Sequence, residues 1–196
     1  MLTARALVVL VLLSCSAPQL LPAQRSERSI YLHGGIGAAF TRVDCDICTG
    51  DRKLGITFSL GAGSRLSQKL ALGLEAGGWN KGETDVTNFL GTLLAVAYWY
   101  PASNRTPYFL KAGIGAASYK VDDRVAEGEE DADPIRSKMF AAQLGIGYRF
   151  RVPGDFSLNP YVTLLGTMKA DLEQGNTRIT SASLTLIQLG LNVGWR

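Results

Sequence analysis

Large apolar residues alternate with small or polar residues along most of the chain, and this pattern is clearest at its C-terminal end. From Ile187 to Trp195 every odd position is large and apolar, whereas the even positions are glutamine, asparagine or glycine. A period of two is typical of a β-strand, because successive side chains point to opposite faces. One face of this strand is broad and apolar and the other has little bulk, which favours a strand whose apolar face meets lipid.

The same alternation recurs in earlier parts of the chain. The predicted strands are 30–42, 54–65, 69–80, 88–100, 107–119, 138–150, 158–170 and 180–196. Each is long enough to cross a bilayer, since a tilted membrane strand needs only ~9 to 11 residues. The pattern therefore predicts an all-β chain of eight strands.

The connections between these strands differ in length and polarity. Those after the first, third, fifth and seventh strands (43–53, 81–87, 120–137 and 171–179) are longer or more polar, and the others are mostly compact turns. An up-and-down barrel of the outer membrane has long loops outside the cell and short turns in the periplasm. The alternation predicts that both termini lie in the periplasm.

Aromatic residues concentrate near the ends of the predicted strands, and among them only Phe58 lies in mid-strand. Tyrosine and tryptophan favour the headgroup level of a bilayer, where a ring can be partly hydrated. Two aromatic belts with an aliphatic band between them are expected of a membrane barrel. The residues predicted to lie at the two interfaces are Phe40, Trp79, Trp99, Tyr100, Tyr108, Tyr119, Tyr148 and Trp195.

Composition excludes a helical membrane protein. Outside the N-terminus the chain has no run of ~18 or more apolar residues that could span a bilayer as a helix. Glycine is abundant, with 22 residues among 196, well above the usual ~7%. Basic and acidic residues nearly balance, so net charge favours no particular partner, and no nucleic-acid partner is expected.

Residues 1–24 are predicted to be a signal peptide that precedes a barrel domain at 25–196. Arg5 gives the segment a positive start, the apolar run 6–13 follows, and helix breakers and small residues come next. The alternative is that Leu12-Leu13-Ser14-Cys15, which resembles a lipoprotein box, makes Cys15 a lipidated first residue. A spanning barrel gains little from an acyl anchor, which favours the signal peptide.

The closing strand resembles that of the small OmpA/OmpX-type bacterial outer-membrane β-barrels, and the resemblance covers residues 30–196. In that family a terminal aromatic residue belongs to the signal that the barrel-insertion machinery reads, and here Trp195 is penultimate. The resemblance implies an eight-stranded antiparallel up-and-down transmembrane β-barrel in the cell outer membrane. The expected partners are outer-membrane lipid and lipopolysaccharide, with the insertion machinery during assembly, and the barrel is expected to be a monomer.

If Ile36 and Ile114 face lipid, several polar residues must point into the lumen. They are His33, Arg65, Glu75, Lys111, Gln143, Arg149 and Gln188. Charges buried there need partners, because an unpaired buried charge costs several kcal/mol. The sequence therefore predicts that Glu75 pairs with Lys111 or Arg149. The cluster is interpreted as an internal polar plug, with a path for solutes or protons as the alternative.

Two cysteines, Cys45 and Cys48, remain after the signal peptide, in the first outer connection. In an exported protein such a pair most simply forms a disulfide. The alternative is a metal or redox site, although a single C-x-x-C without a second pair is weak support for zinc.

No catalytic, metal or cofactor site is readable in the chain. Small barrels that modify lipid A place a histidine near the outer surface, whereas the one histidine here, His33, lies near the periplasmic end. The acidic residues of 120–137 lack the spacing of an EF-hand and indicate a solvated loop, with divalent cations shared with lipopolysaccharide as the alternative.

The leading hypothesis is a non-catalytic envelope protein with a structural role or a surface-interaction role through its extracellular loops. The alternatives are a narrow channel for small solutes and, third, a soluble lipocalin-like carrier. The carrier would need its large apolar faces turned inward, yet the opposite faces are mostly glycine, alanine, serine and threonine.

Overall fold

The structure is a computed structural model that describes residues 30–45, 50–83, 86–101, 107–123, 133–175 and 177–195. Most of the residues in these ranges form extended strands, joined by short turns. The strand segments are β1 (Ile30–Cys45), β2 (Arg52–Arg65), β3 (Leu70–Gly82), β4 (Val86–Trp99), β5 (Tyr108–Asp123), β6 (Ile135–Tyr148), β7 (Phe150–Arg151), β8 (Phe156–Thr167), β9 (Ala170–Gln174) and β10 (Thr177–Trp195). Within these ranges no helix is long and apolar enough to cross a membrane.

The segments close into one ring of antiparallel strands. Each of β1 to β5 pairs with the next along the chain, and β6 pairs with β8 and β9. These two segments pair with β10, which closes the ring against β1. β7 continues β6 beyond Arg149, and β9 continues β8 beyond Lys169. The ring therefore has eight strands, and among the described segments only the two-residue β7 is paired on one side alone. The predicted eight-stranded antiparallel barrel is confirmed.

Large aliphatic side chains cover the outside of the barrel. Ile114 in the middle of β5 is 59% exposed, and Leu60, Leu74, Leu144 and Leu189 are similarly exposed. Their immediate neighbours in sequence point inward and are often glycine or small polar residues. A soluble carrier would place its aliphatic side chains inside, so this arrangement contradicts the carrier hypothesis and fits a barrel surrounded by lipid.

Two of the predicted long connections are short in the structure. β3 continues to Gly82 and β4 begins at Val86, and likewise β9 ends at Gln174 and β10 begins at Thr177. Gly175, with a φ of 58°, lies at the second turn. Polarity at 81–87 and 171–179 indicated contact with water, but cross-strand hydrogen bonds continue there, so the strands extend past the lipid-facing band as hairpins. The longest outer connection, 124–134, lies mostly outside the described residues.

Candidate functional site

The half of the interior near the outer connections is filled by an apolar layer. Trp79, Leu90 and Leu184 are almost fully buried there, and Leu94, which pairs with Glu75 on β3, is buried at the lower border of the layer. The indole Nε1 of Trp79 donates a hydrogen bond of 3.3 Å to the carbonyl oxygen of Ala39. The sequence pattern did not predict this layer, although one signal was present: Leu184 and Leu186 share the parity of Gln188, which is predicted to face the lumen.

Below the apolar layer, neutral polar side chains bond to one another across the bore. Gln188 donates from Nε2 to the hydroxyls of Thr57 at 2.9 Å and Tyr161 at 2.7 Å. Its Oε1 accepts a hydrogen bond of 3.3 Å from Thr163. Mutual hydrogen bonding offsets the desolvation of Gln188 and its three partners. Gln143 on β6 is also buried, but its Oε1 has no hydrogen-bond partner among the described residues.

An ionic cluster around Glu75 lies closer to the turn ends of the strands. Glu75 Oε1 is 2.5 Å from the ammonium of Lys111, and Oε2 is 3.1 Å from His33 Nε2. The hydroxyl of Tyr98 donates to Oε2 at 3.1 Å. The side chains of Glu75 and Lys111 are only 7% and 4% exposed, and the ammonium also lies 5.8 Å from the ring centre of Tyr161. Of the two predicted partners of Glu75, the structure therefore pairs it with Lys111.

Glycine in the neighbouring strand makes room for the rings that cross the bore. A Cβ atom at Gly61 would collide with the imidazole of His33, and one at Gly190 would collide with the ring of Tyr161. The space that a larger side chain would take at these two inward positions is thus filled by side chains of the adjacent strands.

Arg65 and Arg149 lie at the mouth of the barrel where the compact turns are. Their guanidinium carbons are 5.2 Å and 4.5 Å from the ring centre of Tyr100. Arg149 also donates a hydrogen bond from Nη2 to the Tyr100 hydroxyl. The seven predicted lumen residues are thus all placed inside, five in the bore and these two at its turn-side mouth.

The predicted interface aromatics divide into two groups. Phe40, Trp99, Tyr108 and Trp195 are exposed on the outer face, and Tyr148 packs against Tyr108 there.

Trp79, Tyr100 and Tyr119 point into the barrel, which corrects their assignment to the membrane interface. Each has the parity of inward residues on its strand, and the Tyr119 hydroxyl donates to Asn88 Oδ1 at 2.7 Å. The position of these three residues near the ends of strands predicted their height along the barrel. It did not predict whether their side chains face the lipid or the lumen.

Cys45, at the end of β1, is disulfide-bonded. Its predicted partner, Cys48, lies outside the described residues. Across the described ranges, no three side chains of histidine, cysteine, aspartate or glutamate converge on a geometry that could hold a metal ion.

The interior as a whole is suited to holding the barrel together. Apolar packing, amide hydrogen bonds and one buried ionic cluster follow one another along the bore, and each group contacts side chains from several strands. The one histidine, His33, belongs to the ionic cluster: its Nε2 lies 3.1 Å from Glu75 Oε2 and 3.5 Å from the Tyr98 hydroxyl.

A family model for the outer membrane protein beta-barrel domain matches residues 7–196. No curated protein matches the chain in sequence. Among solved structures, Ail, the attachment invasion locus protein of Yersinia pestis, is 14% identical with a TM-score of 0.57, and the match covers 84% of this chain and 98% of Ail.

Two further solved structures have the same fold. Neisserial surface protein A is 14% identical with a TM-score of 0.54, covering 85% of this chain and 96% of its own. A major outer membrane protein from Thermus thermophilus is 11% identical with a TM-score of 0.56, covering 86% and 99%. At these identities the similarity establishes the fold alone.

Proposed function

Because the chain belongs to the outer membrane protein β-barrel family, we propose that it is a non-catalytic barrel with a closed interior, whose outer hairpins interact with the surroundings of the cell. The observation that carries this proposal is the filled bore. An eight-stranded barrel has an interior just wide enough for side chains to fill. Here a layer of leucine and tryptophan side chains, a set of hydrogen-bonded amides and hydroxyls, and the ionic cluster around Glu75 follow one another along the bore.

A closed bore predicts that the purified protein does not conduct. In planar bilayers we expect no steady conductance above that of protein-free membranes, because ions would have to cross the apolar layer around Leu90 and Leu94. Liposomes carrying the protein should likewise not swell in small sugars. Stable, ion-selective openings that change when Lys111→Met is introduced would contradict the closed bore and favour the narrow channel.

Paired cations on the outer face support an interaction with phosphate-bearing lipid. Arg42 on β1 lies directly opposite Arg52 on β2, and Lys120 on β5 lies opposite Arg136 on β6. On each of these strands the cation lies next to the lipid-facing residues, at the end of the strand where the outer connections are. These side chains therefore sit at headgroup height above the apolar band.

Like charges directly opposite one another on a β-sheet destabilise it. Asp44 and Asp122 partly offset this repulsion, at 2.8 Å from Arg42 and 2.7 Å from Lys120. A lipid phosphate between the two cations of a pair would offset it further. We infer that the phosphates of lipopolysaccharide, or of another outer-leaflet lipid, bind at these two positions.

Neutralising the four cations is expected to weaken this binding. For the variant with Arg42→Gln, Arg52→Gln, Lys120→Gln and Arg136→Gln, added lipopolysaccharide should raise the melting temperature by less than half of the increase seen in wild type. The matched control is Lys69→Gln, an exposed cation at the opposite end of the barrel, which should behave as wild type. Equal stabilisation of all three proteins, or equal stabilisation by dephosphorylated lipid, would contradict the assignment.

Export and orientation complete the proposal. Residues 1–24, outside the described residues, act as a signal peptide, and both termini lie in the periplasm. The insertion machinery recognises the closing strand with Trp195, and the assembled barrel is a monomer that needs no cofactor. The alternation of apolar residues up to Trp195 supports the recognition of the closing strand by the insertion machinery.

A further inference from the structure

A polar crevice opens on the outer face of the barrel, where β6 and β9 separate. The last pair that β6 forms with β9 is Arg136–Glu173, and the ladder resumes with β8 at Ala141–Thr167. Between these two pairs β6 has four residues and the other strand has five (168–172), which is a β-bulge. The backbone ladder between the two strands is therefore interrupted at this level of the barrel.

The crevice at this bulge has the size of a ligand site. Its volume is about 550 Å³, within the range of roughly 300–1,000 Å³ that is usual for small-molecule pockets. The hydroxyl of Ser137, which lines it, donates a hydrogen bond of 2.7 Å to the carbonyl oxygen of Asp171. Lys138, also in the lining, lies two residues from Phe140, which is exposed on the lipid-facing surface. The crevice thus lies at headgroup height.

The two walls of the crevice carry opposite charges. The charged residues that line it are Arg136 and Lys138 on β6, Asp171 and Glu173 on β9, and Asp133 just before β6. Both cations and both acids of the two strands are exposed. Among the described residues no ion pair joins the two walls, and Asp171 is bonded instead to Arg178 on β10, at 3.0 Å. A ligand with one negative and one positive group would contact both walls at once.

We propose that this crevice binds a zwitterionic phosphoethanolamine group, with its phosphate at Arg136 and Lys138 and its ammonium at Glu173. The proposal rests on the lipid-phosphate binding proposed above for Arg136 and names the headgroup that carries this phosphate. Charge-assisted hydrogen bonds to phosphate and to carboxylate are roughly twice as strong as neutral ones. A headgroup without an ammonium would bring its phosphate close to the carboxylates of β9 with nothing to offset their repulsion.

The test is calorimetric titration of the purified, folded barrel in a non-ionic detergent. The two probes are a short-chain phosphatidylethanolamine and a phosphatidic acid with the same chains, which lacks the ammonium. Wild type should bind phosphatidylethanolamine with one equivalent. Lys138→Gln should weaken the binding of both lipids about fivefold, as expected for the loss of a solvent-exposed ion pair with phosphate.

Glu173→Gln separates the two halves of the ligand. It should weaken the binding of phosphatidylethanolamine about fivefold, because the ammonium loses its carboxylate. Phosphatidic acid should bind this variant at least as tightly as it binds wild type, because a charge that repels phosphate has been removed. The matched control is Glu83→Gln, an exposed acid of another outer hairpin, which should change the binding of either lipid by less than about twofold.

Opposite responses of the two lipids to Glu173→Gln support the proposal. If Glu173→Gln binds both lipids as wild type does, while Lys138→Gln binds both more weakly, the zwitterion site is refuted and the lipid-phosphate binding at Arg136 stands. If neither lipid binds, or every variant binds equally, both are overturned. All substituted positions are exposed, and an unboiled gel verifies that each variant is folded.

Lipopolysaccharide with and without phosphoethanolamine substituents identifies the source of the group. Tighter binding of the substituted form, with the preference lost in Glu173→Gln, assigns the crevice to lipopolysaccharide. Equal binding of the two forms, together with binding of phosphatidylethanolamine that depends on Glu173, assigns it to the phospholipid.

Discussion

Replacing Glu75 by glutamine is expected to lower the free energy of unfolding of the barrel by about 3–5 kcal/mol, the usual cost of removing one partner from a buried ion pair. The ammonium of Lys111 is 2.5 Å from Glu75 and its side chain is almost fully buried. Without the carboxylate, this charge would face an amide, His33 and two tyrosine rings. Urea unfolding in lipid vesicles, followed by tryptophan fluorescence, measures the change.

The matched control is Glu83→Gln. Glu83 pairs with Lys53 at 3.2 Å, but both side chains are exposed to solvent, so the loss should be no more than about 1 kcal/mol. The double variant Glu75→Leu with Lys111→Met should recover much of the stability, because it removes both charges together. A cost for Glu75→Gln no larger than that for Glu83→Gln would show that the buried pair does not stabilise the barrel.

Trp79→Ala is expected to destabilise the barrel by about 3–5 kcal/mol, as large-to-small changes of buried aromatic residues do. Trp79 is only 2% exposed and packs inside the apolar layer. The change would leave a cavity and remove the hydrogen bond to the carbonyl oxygen of Ala39. The same unfolding measurement in vesicles applies.

Trp99→Ala is the comparison that separates the interior from the membrane interface. Trp99 was predicted to lie at the interface together with Trp79, but it is 48% exposed on the outer face. Its loss removes contact with lipid and leaves no cavity, so we expect less than half the destabilisation of Trp79→Ala. The opposite order would place Trp79 on the lipid-facing surface.

Most of the architecture followed from local pattern. A period of two, repeated in eight segments, fixed the class, the number of strands and, at mid-strand positions such as Ile36 and Ile114, the face that meets lipid. These features are readable because side chains of a strand alternate strictly, so one assigned position determines its neighbours. The resemblance of the closing strand to outer-membrane barrels, confirmed by the family match, rests on the same alternation.

Other features depended on cross-strand register. Alternation could not tell that Tyr119 faces Asn88 or that Glu75 meets Lys111 and not Arg149, because these contacts join strands whose relative positions only the closed ring defines. Polar residues at 81–87 predicted an outer connection, but whether a loop or a hairpin forms there depends on pairing between β3 and β4.

The apolar layer illustrates the physical reason. In β10, Leu186 has the parity of the lumen residue Gln188, so alternation places it inward, but alternation does not tell that the whole bore is apolar at that level. Leu186 is buried because Leu90, Leu94 and Trp79 from the opposite side of the ring fill the bore there and exclude water. The sequence by itself determined the strands and their lipid-facing surface, since those depend on local alternation. What fills the barrel was decided only by ring closure, which brings together side chains far apart in the chain.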